Sequence, residues 1–217
     1  MNNNIFLIIL IIIGLVTITS FTITFYSTTA FAQSNNQTST TLQPSPQQQQ
    51  QDSFCKLTES DMLGPFYKEG APFKQTLNEG VKEGERLIIT GKVTDMRCQP
   101  IKNAVLDIWQ ANSTGKYDNE GFTLRGKINT DNDGNYVIDT IVPKEYAAGD
   151  INRPGHIHLK VGAPNQPILT TQLYFEGDPY LTDREDKSLI MKVTDDKNGT
   201  KKANFDFVIE YYDEYEK

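Results

Sequence analysis

The chain has 217 residues, with 21 Lys+Arg against 28 Asp+Glu for a formal net charge of −7, and every charged side chain lies at or beyond Asp52. The 166 residues from Asp52 onward are the length of one domain and can bury a core without help from metal or disulfide. Their acidity argues against nucleic acid or an anionic membrane as partner.

Residues 1–51 form a separate object. The uncharged run Ile5-Phe6-Leu7-Ile8-Ile9-Leu10-Ile11-Ile12-Ile13 cannot be the surface of a water-soluble domain. The small-x-small sequence Ala30-Phe31-Ala32 fits a signal-peptidase site, which makes residues 1–32 a signal peptide, although no cationic side chain precedes the apolar run. The rival reading is an uncleaved membrane anchor, because Ile5 to Phe25 as a helix would reach about 30 Å. Either way the domain is expected outside the cytoplasm. Residues 33–51 are a Gln/Ser/Thr/Pro linker, too poor in apolar groups to offset its ordering entropy.

The domain, residues 52–217, opens with a short helical turn expected near Thr58 to Met62, where Thr58 and Asp61 suit a capping box. Strands are predicted over residues 86–93, 104–109, 136–142, 156–161, 171–175, 189–193 and 205–212, each short and rich in β-branched and aromatic residues. Asp131-Asn132-Asp133-Gly134-Asn135, Gly162-Ala163-Pro164-Asn165 and Lys197-Asn198-Gly199 carry turn chemistry between them. No sustained 3.6-residue period appears, so the expected fold is all-β, an antiparallel β-sandwich. Trp109 is assigned to the core. The two cysteines, Cys55 and Cys98, are most simply a disulfide in an exported domain; two unrelated buried thiols are the alternative, and a zinc-type ligand set lacks its close Cys pair.

The chain's two histidines, His156 and His158, share one predicted strand. Side chains at i and i+2 point to the same face about 6.5–7 Å apart at their backbones, so two imidazoles can converge on one metal ion. A pair of half-exposed strand histidines with no ligand is the bland alternative. The pair supplies two ligands only, and spacing does not choose between carboxylate, phenolate and thiolate for the rest.

Several ordered segments resemble the intradiol ring-cleavage dioxygenases, the family of the catechol and protocatechuate dioxygenases. They are Gly64-Pro65-Phe66-Tyr67, Leu106-Asp107-Ile108-Trp109-Gln110-Ala111-Asn112, Gly115-Lys116-Tyr117, Leu124-Arg125-Gly126, Thr130 to Tyr136, Pro143-Lys144-Glu145-Tyr146, Arg153 to His158 and Thr171 to Phe175. The resemblance implies a non-heme ferric ion, Fe(III), held by Tyr117, Tyr146, His156 and His158 with a solvent-derived hydroxide. Two phenolates and one hydroxide neutralise the trivalent charge. It also implies an aromatic diol and O₂ as substrates and a muconate-type diacid as product, with Tyr146 released when the diol binds. Arg153 and Gln172 match residues beside the substrate ring, and Pro65 and Tyr67 would line the pocket.

Gly155 stands where many members carry Ala, and is expected to loosen that loop. Residues after Tyr146 depart from the family pattern, and the long helical amino-terminal region of the dimeric catechol enzymes is missing, which points to a short exported branch. Lys116, Arg125 and Lys144 near the presumed ligands suit a carboxylated diol. Sequons at Asn36, Asn112 and Asn198 permit glycosylation outside the cell. Two other classes compete: a non-catalytic extracellular binding module, and a copper or zinc enzyme combining the histidines with Asp150 or Asp178.

Overall fold

The computed structural model describes residues 54–212, all within one compact unit spanning 49–217. The expected export segment and linker lie outside the described residues. No helix among the described residues is long and apolar enough to cross a membrane. In chain order the strands are β1 (Arg86–Thr94), β2 (Val105–Gln110), β3 (Arg125–Asn129), β4 (Asn135–Ile141), β5 (Tyr146–Ala148), β6 (Ile151–Arg153), β7 (His156–Gly162), β8 (Leu169–Phe175), β9 (Ile190–Met191), β10 (Thr194–Asp195), β11 (Lys201–Asn204) and β12 (Phe207–Val208).

Two sheets pack over one core. In the first, β1 pairs with β4 on one edge and with β11 and then β12 on the other, and β10 flanks β11. In the second the order is β3-β2-β7-β8-β9. Alternation along β1 buries Leu87, Ile89 and Val93, which meet Leu106, Ile108, Ile157, Leu159, Val161 and Leu173 from the second sheet. A two-stranded hairpin, β5-β6, stands apart from both sheets.

The fold is the expected all-β sandwich, but it departs from the expectation in strand direction and in its opening segment. The sheets are mixed rather than antiparallel, because β1 runs parallel to β11 and β12, and β8 parallel to β9. Residues 58–62 form no helical turn. Thr58 N–H donates to Val208 O at 3.0 Å and Thr58 Oγ1 accepts from Val208 N–H at 2.9 Å. Asp61 N–H donates to Thr170 O, and its carboxylate accepts from the Tyr174 hydroxyl. The groups a capping box needs are therefore spent across the sheets. The one helical turn among the described residues is a 3₁₀ turn, Lys187–Leu189, capped by Asp186.

Cys55 and Cys98 are joined, with Cα atoms 5.4 Å apart across a sequence separation of 43. The turns at residues 131–135 and 196–200 use the same device: one carboxylate oxygen of Asp131 or Asp196 accepts two backbone N–H groups, from positions i+2 and i+4.

The register of the second sheet determines what its outer face carries. Arg125 (β3), Trp109 (β2), His158 (β7) and Gln172 (β8) lie opposite one another in a single row. The next row holds Lys127, Asp107, Lys160 and Thr170. His156 lies opposite Tyr174 on the other side of the first row. The opposite face of the same strands is the apolar core. Residues 59–74 cross this polar face as a strap. It is tied to β8 by Asp61 N–H to Thr170 O and Gln172 Nε2 to Met62 O, and to β3 by Lys127 N–H to Pro72 O and Lys74 N–H to Lys127 O.

Candidate metal centre

His156 and His158 are both buried, and their Nε2 atoms face each other at 3.1 Å. His156 Nδ1 lies 2.6 Å from Pro154 O, a pure acceptor, so Nδ1 carries the proton and Nε2 presents a lone pair. The Tyr117 hydroxyl, from the loop after β2, lies 3.4 Å from that same Nε2. Tyr146, the first residue of β5, packs edge-on to Tyr117 and tilted against His156, each with ring centroids at 5.6 Å. Pairing of β5 with β6 sets Tyr146 opposite Arg153. Arg153 Nη2 donates to Gln172 Oε1 at 3.1 Å and to the Tyr174 oxygen at 3.2 Å. Tyr174 in turn donates its O–H to Asp61 Oδ2 at 2.8 Å.

Burial pushes His156 down to about 4 and His158, which also neighbours His156, down to about 2, so both imidazoles are neutral at neutral pH. Burial also raises the Tyr117 and Tyr146 phenols; for Tyr117, Arg125 and Arg153 oppose that shift, and for Tyr146, Arg153 does.

The donors fit a cation. If His158 carries its proton on Nδ1, toward the Met62 carbonyl, two Nε2 lone pairs face each other; if on Nε2, its buried Nδ1 is a lone pair with no donor. A metal ion between the Nε2 atoms removes the conflict, and a hard, highly charged ion is the kind that holds phenols deprotonated. Among the described residues no group of three or more His, Cys, Asp or Glu side chains could hold a metal. The carboxylate alternative is not built: Asp178 accepts the Gly155 and Tyr180 N–H groups, and Asp150 is exposed in the β5-β6 turn.

Residues 62–211 match the family model described as Dioxygenase. The chain is 36% identical to the chlorocatechol 1,2-dioxygenase of Rhodococcus opacus over 150 residues, covering 57% of this chain and 58% of that protein. It is 35% identical to catechol 1,2-dioxygenase 2 of Acinetobacter lwoffii over 142 residues, 55% and 52% of the two chains. Among solved structures, the dioxygenase domain of a dioxygenase carbohydrate-binding protein fusion from Streptomyces sp. SirexAA-E superposes with TM-score 0.67 at 36% identity, covering 72% of this chain and 100% of that one. The chain belongs to the intradiol ring-cleavage dioxygenases. It spans about half the length of the curated relatives it matches.

The structure brings together Tyr117, Tyr146, Arg153, His156, His158 and Gln172, and turns Tyr67, also expected at the pocket, toward Asp107. Pro65 is exposed on the strap. Tyr67 lies tilted against Trp109 at 4.8 Å, and its hydroxyl donates to Asp107 Oδ2 at 3.2 Å, away from the histidine nitrogens. Phe66 of the strap enters the intradiol site, stacked on Tyr117 at 4.3 Å and edge-on to Tyr146 at 5.6 Å. Gly64 has a φ of +70°, and a Cβ there would fall 2.9 Å from His158 Cε1, so the strap can pass over the ring only as glycine.

Trp109 is buried, but on the outer face: its ring lies parallel to His158 at 4.8 Å and fixes the imidazole plane. The parity that puts Trp109 in the same set as Asp107 was present in the sequence and carried this information. Arg125, which the sequence suggests as a partner for a carboxylated diol, is buried and spent on backbone carbonyls. Its guanidinium donates to Asp118 O at 2.7 Å and Phe66 O at 2.6 Å, joining the Tyr117 loop to the strap.

Proposed function

We propose that this protein is an Fe(III)-dependent intradiol dioxygenase that opens a catechol-type ring between its two hydroxylated carbons, with both atoms of O₂ entering a muconate-type diacid. The balance needs no reductant, since diol plus O₂ equals diacid. The observation that carries the reading is the convergence of two neutral imidazole nitrogens and two phenols beside a hydrogen-bonded arginine.

Tyr117, Tyr146, His156 and His158 would hold the ferric ion. When bound, it would supply Lewis acidity toward both diol oxygens, lowering their pKa so that the diol is held deprotonated, the form whose ring carbon can react with O₂. His156 is aimed by Pro154 O and His158 by the Trp109 stack, so neither imidazole has to reorganise. Phe66 covers one face of Tyr117 and keeps water from that side. Tyr146 is only half-buried and can swing away as a phenol, taking one proton from the incoming diol at its Oη. Arg153, held by Gln172 and Tyr174, is a fixed cation for negative charge developing on the ring and on oxygen. Exposed Met62 and Ile151, near Arg153, give an aromatic ring an apolar approach.

The apolar amino-terminal run and the Cys55–Cys98 bridge support an extracytoplasmic domain, secreted or tethered through residues 5–25. The deciding experiment is a visible spectrum with iron quantified on the same purified sample, before and after anaerobic catechol. A tyrosinate-to-iron band that moves to longer wavelength with catechol supports the reading. Protein that remains colourless after iron reconstitution refutes it. His158→Ala and Tyr117→Phe should each lose iron or turnover with the β fold intact, and full iron and turnover in either would overturn the ligand set.

A further inference from the structure

The strap divides the polar face of the second sheet, and the half beyond Tyr67 is used by none of the chemistry above. There a groove of about 290 Å³ is lined by Tyr67, Asp107, Lys127 and Lys160 at one end and by Val105, Ala163, Pro164 and Ile168 at the other. That volume lies at the lower end of the range for small-molecule sites.

The charged end has excess donors. Lys127 and Lys160 sit on the two strands flanking Asp107, each directly opposite it in register. Lys127 Nζ is 3.8 Å from Asp107 Oδ2, beyond hydrogen-bond distance, and that oxygen already accepts the Tyr67 hydroxyl. Lys160 Nζ lies 4.1 Å above the Tyr67 ring. Two ammonium groups, with three N–H donors each, thus share one carboxylate that neither reaches with a short bond. A cation pair with one internal counter-charge retains one net positive charge within a chain of net charge −7. The stems of both lysines are half-buried, which fixes the heads more firmly than on an open surface.

The other end is apolar, and Ile168 is 62% exposed there. An anion with a flat hydrocarbon body matches both ends: its carboxylate against the two ammonium groups, its ring along Pro164 and Ile168. A bare inorganic anion would leave the apolar end uncovered, and a neutral aromatic would leave the ammonium donors unpaired. We propose that this groove is a binding site for an aromatic monocarboxylate, separate from the metal centre and divided from it by Tyr67 and Trp109.

Trp109 is the chain's one tryptophan, and it contacts both Tyr67 on the groove side and His158 on the metal side. The test titrates benzoate, which lacks the adjacent hydroxyls of a chelating diol, into the isotope-labelled protein. Backbone amide shifts are followed together with tryptophan emission. Saturable shifts should centre on Val105, Lys160 to Ile168 and Tyr67. Benzamide, the neutral analogue, should bind at least about tenfold more weakly, and so should benzoate with the Lys127→Met/Lys160→Met variant, the loss expected of one charge-assisted hydrogen bond. Arg153→Met should bind benzoate as the parent does.

Absence of saturable shifts at the groove amides would overturn the proposal, as would equal binding of benzamide. Loss of binding in Arg153→Met with retention in the double lysine variant would place benzoate at the metal centre instead. Should the double variant fail to fold, the amide map of the unaltered protein and the benzamide comparison still decide.

Discussion

Substituting Gly155 by alanine tests whether the close approach of two loops builds the candidate metal centre. A Cβ on Gly155 would lie 2.6 Å from Pro143 O, whereas carbon–oxygen contacts settle at about 3.3–3.6 Å, so the loops must part by about 0.7–1 Å. Neither side yields freely. Pro143 is buried and leads within three residues to Tyr146, and Gly155 precedes His156 and donates its N–H to Asp178 Oδ2 at 2.9 Å. Overpacking of this kind costs about 1–3 kcal/mol, and the stiffer unfolded chain of alanine returns about 0.4–1 kcal/mol. From the midpoints the net loss is about 1.3 kcal/mol, or roughly 3–5 °C in Tm for a domain of this size. Thermal unfolding followed by circular dichroism, with iron per domain quantified on the same samples, should show a lowered Tm and reduced iron. A Tm within about 1 °C of the parent with full iron would mean that the glycine only loosens the loop, the role the sequence suggested, and the steric argument would fail.

Arg125→Met removes the donor shared by Asp118 O and Phe66 O and leaves both carbonyls without that partner, so denaturant unfolding should show a loss of about 3–5 kcal/mol; Arg125→Lys, which lacks the fork, should recover less than half. Cys55→Ser or Cys98→Ser should cost about 2–4 kcal/mol by the same assay, and reduction of the parent should reproduce the loss. Asp131 and Asp196 are held below the usual carboxylate range, Asp131 first by its bonds from Asn135 and Asp196 first by the Thr200 N–H. A depressed folded value means that their stabilisation is complete above about pH 4, the unfolded value, and is lost as pH falls through the folded one. Unfolding midpoints measured from pH 2 to 7 should therefore fall less steeply below pH 4 in Asp131→Asn than in the parent, and equal slopes would remove Asp131 from the account.

Alternation was enough to find β1, because Leu87, Ile89 and Val93 face one core and their neighbours face water. It was not enough for β3, Arg125–Asn129, which contains a single large apolar residue, Ile128. Its outer side is polar because Arg125 serves the strap and the Tyr117 loop, and that requirement is tertiary. The predicted strand over 205–212 failed for a related reason: the chain leaves β1 after Asn204 and returns at Phe207, with Asp206 Oδ1 accepting Lys92 N–H across the gap. The histidine pair was legible because the i, i+2 rule needs only a strand. The partition of Gly64-Pro65-Phe66-Tyr67 was not: which ring of two adjacent aromatics enters the site depends on the path of the strap over the sheet. Phe66 enters it, and Tyr67 turns toward Asp107.

The four proposed ligands differ in how firmly the fold holds them, and the difference follows the chemistry proposed for each. His156 and His158 lie on β7, an interior strand hydrogen-bonded on both sides by β2 and β8, and their rings are braced by Pro154 O and Trp109. Tyr117 comes from a loop, but Phe66 stacks on it, and Arg125 ties its neighbour Asp118 to the strap. Tyr146 sits on a three-residue strand paired with β6, outside both main sheets, and is half-buried. Displacing it disturbs neither β7 nor the core, since few packed neighbours must follow. The proposed reaction requires one ligand to leave as the diol arrives and the other three to hold position. A disulfide pinning β5 to β6 should therefore slow diol binding more than it changes iron affinity, measurable as a reduced rate of the spectral shift on anaerobic catechol addition at unchanged iron content. An unchanged rate would show that Tyr146 is not the ligand that moves.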